Sequence, residues 1–247
     1  MPTAPWRVCE VRDLGRVPYA EARRLQDRLA GEIADGRIPP TLLLLEHPHT
    51  YTFGRRARPE DLLWSNPQLA ARRVEIQWID RGGEATYHGP GQLVGYPILP
   101  LGRVARDGRL PQTDYIGYLR RLEDVIIRAV ARLGLAAGQL PGLTGVWVQP
   151  DVASRCTRCP PAARRSPSKL ASIGVKVDSR GMTRHGFALN IDPDMSYWEG
   201  IIACGQPDRP AVALADLVQP TPEAGHVRRA VVDAFGAVFG FDMILAP

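Results

Sequence analysis

Residues 80–97, DRGGEATYHGPGQLVGYP, place an arginine and a histidine among five glycines and two prolines. Glycine lets a backbone come close to a ligand and adopt positive φ. Arg81 offers a planar donor fork, and His88 a donor or acceptor near neutral pH. The same run also reads as a tight loop between strands with His88 hydrogen-bonded inside it. It is no phosphate-binding P-loop, because no Gly-Lys-Ser/Thr follows, and its glycine spacing does not fit a dinucleotide fingerprint. A second segment, SKLASIGVKV, carries Lys169, and a third, RHGFALNIDPDMSYWEGIIACG, ends at Cys204 and Gly205. A cysteine there fits a nucleophile, and it also fits a small core hydrophobe.

The other candidates are weaker. Cys156-Thr157-Arg158-Cys159 has no second pair, as a structural zinc site needs. Pro160-Pro161 follows it, whereas a redox CxxC opens a helix. It reads as a chance pair in a loop, with a metal site or a disulfide as alternatives. His47-Pro48-His49 is equally thin as a metal site.

Regular elements must hold these residues. WRVCEVRD (6–13) alternates as a half-buried strand does, and TLLLLE (41–46) reads as a buried one. Between 18 and 36, Ala22, Leu25, Leu29 and Ile33 make the apolar face of a helix. EHPHTYTFGRRARPE (46–60) reads as a polar loop, VEIQWI (74–79) and LVGYPIL (93–99) as strands. Ile116, Leu119, Leu122, Ile126, Val130 and Leu133 line one face of a helix over 113–133, with Gly134 after its end. Gly145–Val148 begins a strand. KLASIGVKV (169–177) and MTRHGFALNI (182–191) form a hairpin around residues 178–181. A last helix over 221–239 starts at Thr221-Pro222 and turns Val227, Val231, Phe235, Val238 and Phe239 inward. Residues 150–168, with four prolines, four arginines and no periodicity, are expected to be an exposed, mobile insertion. The order of elements is α+β.

Composition sets the outer bounds. The chain has 247 residues, 31 Lys+Arg against 26 Asp+Glu, and a formal charge of +5. With 45% hydrophobic and 23% charged residues it is an ordinary globular sequence, not a disordered one. No apolar run reaches the roughly 20 residues of a membrane helix, and MPTAPWRVCEVRD has no apolar signal core. A cytoplasmic protein is expected, and four unevenly spaced cysteines do not make a disulfide framework.

Taken together, EHPHTYTFGRR, DRGGEATYHGPGQLVGYPI, TGVWV, KLASIGVKV, TRHGFALNI and IIACG resemble one family in content and order. It is the octanoyl-[acyl-carrier-protein]:protein octanoyltransferases, also called lipoate-protein ligase B or lipoyl(octanoyl) transferases. The resemblance covers most of residues 41–206. It implies a biotin/lipoate protein ligase-like fold, a mixed sheet with flanking helices, as one catalytic domain over 1–247. It implies transfer of an octanoyl chain from octanoyl-acyl carrier protein to a lysine of lipoyl domains. The acceptors would be those of 2-oxoacid dehydrogenase complexes and the glycine cleavage H protein, with no metal, cofactor, nucleic acid or membrane involved. By the same resemblance Cys204 is the catalytic cysteine and Lys169 its partner. The acyl-binding segments fall on Arg81, Gly82, Gly83, Glu84, Ala85, Thr86, Tyr87 and His88, on Ser172, Ile173 and Gly174, and on Gly186, Phe187 and Ala188.

Two features depart from the family pattern: Ala203 stands where proline usually precedes the cysteine, and the 150–168 insertion is longer. With four arginines against one aspartate, that insertion is expected at the site's entrance, facing an acidic carrier. The rival within the fold is an ATP-dependent lipoate- or biotin-protein ligase, which uses no cysteine nucleophile. An octanoyl amidotransferase of this fold keeps its cysteine elsewhere. A basic nucleic-acid-binding protein leaves the glycine loop and the Lys169/Cys204 pair unexplained.

Overall fold

The computed structural model describes residues 6–102, 114–203 and 209–246. In chain order the strands are β1 (Val8–Arg16), β2 (Thr41–Glu46), β3 (Thr50–Phe53), β4 (Glu75–Trp78), β5 (Ala85–His88), β6 (Gln92–Ile98), β7 (Gly138–Leu140), β8 (Leu143–Val148), β9 (Ser168–Val177), β10 (Thr183–Asn190) and β11 (Asp242–Leu245). The helices are α1 (Tyr19–Ala34), α2 (Asn66–Ala71), α3 (Tyr115–Arg132), α4 (Pro150–Ala153), α5 (Leu214–Leu217) and α6 (Ala224–Phe239).

Eight strands form one sheet in the order β11-β1-β2-β6-β10-β9-β8-β7, and β4-β3-β5 form a second. The large sheet is mixed: β11, β1 and β2 run parallel, while the remaining neighbours are antiparallel. Its two faces are both covered, which explains the unbroken apolar run of β2. Leu42 and Leu44 enter the core under α3 and α6, and Leu43 and Leu45 enter the core under α1. On α3, Leu122, Ile126 and Val130 are fully buried as the stripe predicts, whereas Ile116 in the first turn is exposed. The small sheet packs an aromatic cluster of its own, with Tyr51, Phe53, Tyr87 and Tyr197. This is the mixed sheet with flanking helices, α+β in class, that the sequence implies.

Several boundaries and segments differ from expectation. The polar loop expected over 46–60 contains β3, whose four residues are all buried, because Tyr51 and Phe53 supply the aromatic cluster. Residues 85–88 are a strand, not part of a loop, since β5 pairs with β3 along its whole length. The last helix begins at Ala224, with Glu223 before it, three residues later than Thr221 suggests. The 150–168 insertion is not a bare exposed loop. It holds α4 and a short 3-10 turn over Pro161–Arg164, and it seats Ala153, Cys156, Cys159 and Ala163 in the main core.

β10 and β6 approach so closely that a Cβ on Gly186 would stand 2.1 Å from the carbonyl oxygen of Gly95. Backbone cannot give way there without parting the strands. Gly186→Ala should therefore lower stability by about 1–3 kcal/mol, the usual range for overpacking, as read from the midpoint of urea unfolding.

Candidate active site

A cavity of about 730 Å³ opens between the two sheets. The loop before β5 forms one side and β9 and β10 the other. Gly82 donates its backbone N–H to the Val175 carbonyl at 3.0 Å, so the glycine loop lies directly on β9. Gly174 permits this, because a Cβ there would press on Arg81 Cδ at 3.0 Å and on the Gly82 carbonyl at 3.1 Å.

The residues singled out in the sequence sort as follows. Arg81, Gly82, Gly83, Glu84, Thr86 and His88 line the cavity, as do Ser172, Ile173 and Gly174, then Gly186, Phe187 and Ala188, and Lys169. Ala85 and Tyr87 do not. Successive side chains of a strand point to opposite faces, so these two turn into the aromatic cluster of the small sheet. Cys204 lies outside the described residues. Its chain neighbour Ala203 pairs with Ala85, and Ile202 donates to the Asp61 carbonyl at 2.8 Å. The chain is described again from Arg209, and Pro210 accepts the backbone N–H of Lys169 at 2.8 Å.

Lys169 stands at the start of β9, almost wholly buried. Its Nζ lies 4.6 Å from the centroid of the Trp147 ring, a cation–π arrangement, and the Arg209 guanidinium lies 5.7 Å from the same ring. Arg81 is not aimed outward at a ligand. Its guanidinium donates to the Thr52 carbonyl (2.7 Å), the Thr52 hydroxyl (2.9 Å) and the Gly82 carbonyl (3.0 Å), which ties the glycine loop to β3.

Sequence reasoning missed Tyr19, Tyr96 and His185, which also line the cavity. His185 has φ +59, a left-handed conformation that is strained for a side-chain-bearing residue. The hydroxyl of Tyr19 lies 3.3 Å from its Nδ1, and Asp80 Oδ1 lies 3.4 Å from its Nε2. Hydrogen bonding from His185, and then from Lys176, holds the Asp80 carboxyl below the usual carboxylate range. Nothing in local spacing marks Tyr19 or His185, since each reaches the cavity only through the tertiary fold.

Three histidines are held neutral around this cavity, each chiefly by burial. His47 donates from Nδ1 to the Val17 carbonyl (2.7 Å) and accepts from the Tyr96 hydroxyl (2.8 Å), and burial brings its pKa down to about 4. Burial lowers His185 against the pull of Asp80, and lowers His88 well below its ordinary value with His47 adding to the effect.

The other cysteines are accounted for. Cys9 is fully buried, and desolvation pushes its thiol up to about 12. Cys156 and Cys159 form a disulfide, one of the alternatives open for that pair. Among the described residues, no group of three or more His, Cys, Asp or Glu is placed to hold a metal, and no helix is long and apolar enough to cross a membrane. None of the insertion's arginines lines the first cavity. Arg155 and Arg158 line a second cavity of about 540 Å³ beside Gly134, past the far end of α3 from Leu119, and Arg158 is paired with Asp216. The physical reason is the buried Cys156–Cys159 pair, which anchors that stretch of the insertion in the core.

Residues 18–236 match the lipoyl protein ligase A/B catalytic domain, and the chain belongs to that family. Within it, the chain falls among the octanoyltransferases. It is 41% identical over 237 residues to the octanoyltransferase of Chloroflexus aurantiacus, covering 96% of each chain. It is 43% identical over 228 residues to that of Rubrobacter xylanophilus, covering 92% of this chain and 91% of the relative. Solved structures share the fold at low identity. A bipartite lipoate protein ligase of Thermoplasma acidophilum superposes with a TM-score of 0.66 at 16% identity, over 97% of this chain and 88% of that one. A lipoate-protein ligase A bound with ATP gives 0.63 at 14%, over 98% and 90%.

The neutral histidines make stability depend on pH with a definite sign. Unfolded, His47 titrates near 6.5, and folded near 4. Between those values the unfolded chain binds more protons, so stability falls as pH drops from 6.5 to 4. The loss from His47 approaches roughly 3 kcal/mol at the lower end. His47→Gln, which offers one donor and one acceptor without titrating, should flatten this fall. Unfolding midpoints at pH 7.0 and 4.5 for both proteins check it.

Proposed function

We propose that this enzyme moves an octanoyl group from octanoyl-acyl carrier protein to a lysine of lipoyl domains, through a thioester on Cys204. The acceptors are the lipoyl domains of 2-oxoacid dehydrogenase complexes and the glycine cleavage H protein, and the reaction takes place in the cytoplasm. The observation that carries the reading is the cavity itself. It gathers the glycine loop and the middle portions of β9 and β10 beside Lys169, and the two chain segments flanking Cys204 are anchored on its two sides. Membership among the octanoyltransferases supports the same conclusion.

The chemistry follows from the groups present. The Cys204 thiolate attacks the carbonyl carbon of the donor thioester, a new carbon–sulfur bond forms, and the bond to the carrier's thiol breaks. The departing thiolate takes a proton from the Lys169 ammonium. The acceptor lysine then enters as a neutral amine and attacks the enzyme thioester. Lys169 takes up the proton the amine loses, and Cys204 leaves as thiolate. One thioester and one amine have become an amide and a thiol, and both enzyme groups are restored. The donor arrives already activated as a thioester, so the sequence of steps is balanced without nucleotide hydrolysis. Ile173, Phe187 and Ala188 give the acyl chain apolar walls, and Gly82, Gly83 and Gly174 let it lie close to backbone.

Intact-mass analysis after mixing with octanoyl-acyl carrier protein should show one added octanoyl group. It should be lost in Cys204→Ala and kept in Cys9→Ala, since the Cys9 thiol is buried and held protonated. An adduct that survives Cys204→Ala overturns the mechanism. Lys169→Arg keeps a cation but removes a group able to exchange its proton. It should lower kcat for octanoyl transfer by roughly 10²-fold or more, the usual size of general acid–base assistance. A Lys169→Arg enzyme of normal kcat would remove Lys169 from the proton transfers.

A further inference from the structure

One run of buried polar groups has no part in the chemistry above. Arg81 donates to the Thr52 hydroxyl at 2.9 Å, and that hydroxyl lies 3.3 Å from His88 Nε2. His88 Nδ1 lies 2.8 Å from Gln92 Oε1. Gln92 Nε2 donates both to the Tyr87 carbonyl (3.0 Å) and to Asn190 Oδ1 (2.9 Å). Asn190 Nδ2 donates to the Val212 carbonyl at 3.1 Å. Val212 in turn donates its N–H to the Lys169 carbonyl at 3.0 Å. Thr52, Gln92 and Asn190 are at most 2% exposed.

Two backbone carbonyls set the direction of every bond in this run. The Tyr87 carbonyl only accepts, so the Gln92 atom facing it is the amide nitrogen, and the other end, an oxygen, must accept from His88 Nδ1–H. His88 Nε2 then carries the lone pair and accepts from the Thr52 hydroxyl, whose own oxygen accepts from Arg81. At the far end the Val212 carbonyl fixes the Asn190 nitrogen, so Asn190 Oδ1 accepts from Gln92. Both nitrogens of His88 are therefore engaged, and its imidazole is a connector in this arrangement. Buried amides so fully engaged are costly to disturb, because any single loss leaves a desolvated group unpaired.

The run joins the glycine loop to the segment that clamps Lys169. Residues 210–212 hold both the N–H and the carbonyl of the lysine's main chain, through Pro210 and Val212. Asn190 fixes Val212 in turn, and Gln92 fixes Asn190. We propose that Gln92 and Asn190 are positioning residues for Lys169, holding the lysine end of the cavity at a set distance from its acyl-binding side. This rests on the reading of Lys169 as the proton-transferring partner of Cys204.

The test uses two variants of near-native shape that cannot make these bonds, Asn190→Leu and Gln92→Met, in the full-length enzyme. Each should lower kcat for octanoyl transfer to a lipoyl domain about tenfold. The KM for octanoyl-acyl carrier protein should stay within twofold, and single-turnover formation of the Cys204 adduct should slow in step with kcat. A folded variant whose kcat stays within twofold of wild type overturns the proposal. So does a loss confined to KM, which would place these residues in acyl binding. Unfolding of one variant, seen by thermal melting, leaves the other to decide, and unfolding of both assigns the run to the core and overturns it too. Absence of any Cys204 adduct in the wild-type enzyme would instead defeat the reading of the site. An intact wild-type adduct with unaffected variants defeats the positioning role alone.

Discussion

The hydrogen bond from the Gly82 N–H to the Val175 carbonyl draws the small sheet's loop onto the large sheet, and the cavity exists because the two meet there. A side chain at Gly174 would crowd the contact, and it is braced by Arg81, whose guanidinium reaches back to Thr52 on β3. A charge buried to this extent is stable only with several acceptors around it, and Thr52 and Gly82 provide them. Arg81 thus serves as a bracket between a loop and a strand. The wall of the cavity and the junction of the two sheets are consequently one feature.

Burial that builds the site also fixes its protonation. His47, His88 and His185 are all withdrawn from water, and burial is the largest influence on each. A neutral imidazole donates from one nitrogen and accepts at the other, so each histidine acquires a directed pair of hydrogen bonds. In His47 the pair is the Val17 carbonyl and the Tyr96 hydroxyl. In His88 it is Gln92 and Thr52. The cavity therefore has a polar side whose orientation is set by neutral imidazoles held by directed hydrogen bonds.

Much of this was legible in the sequence, for reasons visible in particular residues. β2 announces itself because both of its faces are buried and it needs apolar side chains throughout. The stripe on α3 is equally clear, except that Ile116 continues it into an exposed first turn. β3 was hidden because Pro48, Gly54, Arg55 and Arg56 crowd its ends with turn and surface signals, while only four residues carry the strand. β11 was hidden because its partner, β1, lies at the other end of the chain, and such a pairing leaves no local pattern. The glycine loop, Lys169 and the β9–β10 residues were readable as a set through resemblance. Tyr19, Tyr96 and His185 were not, since cavity lining is a property of neighbours in space. The insertion misled for a simpler reason. Its prolines and arginines are conspicuous, while the alanines and cysteines that enter the core are few and small.

The four cysteines show how environment divides a single chemical type. Cys9 sits between strands in a dry core, and its thiol is held protonated well beyond physiological pH. Cys156 and Cys159 are joined to each other, so neither presents a thiol. Among the described residues no reactive thiol remains, although the cavity has a buried lysine at one end and an apolar wall suited to an acyl chain. Many chemistries share this fold, so the fold by itself does not select thioester exchange over adenylate chemistry. The selection must come from side chains at the cavity, and Lys169 is suited to thioester exchange only if a thiol meets it. The two chain segments that flank Cys204 end at Ala85 and at Lys169, on opposite sides of that cavity. Five residues join them, Cys204 being the first, and the described residues at either end of that stretch pair with β5 and with β9, as the role proposed for Cys204 requires.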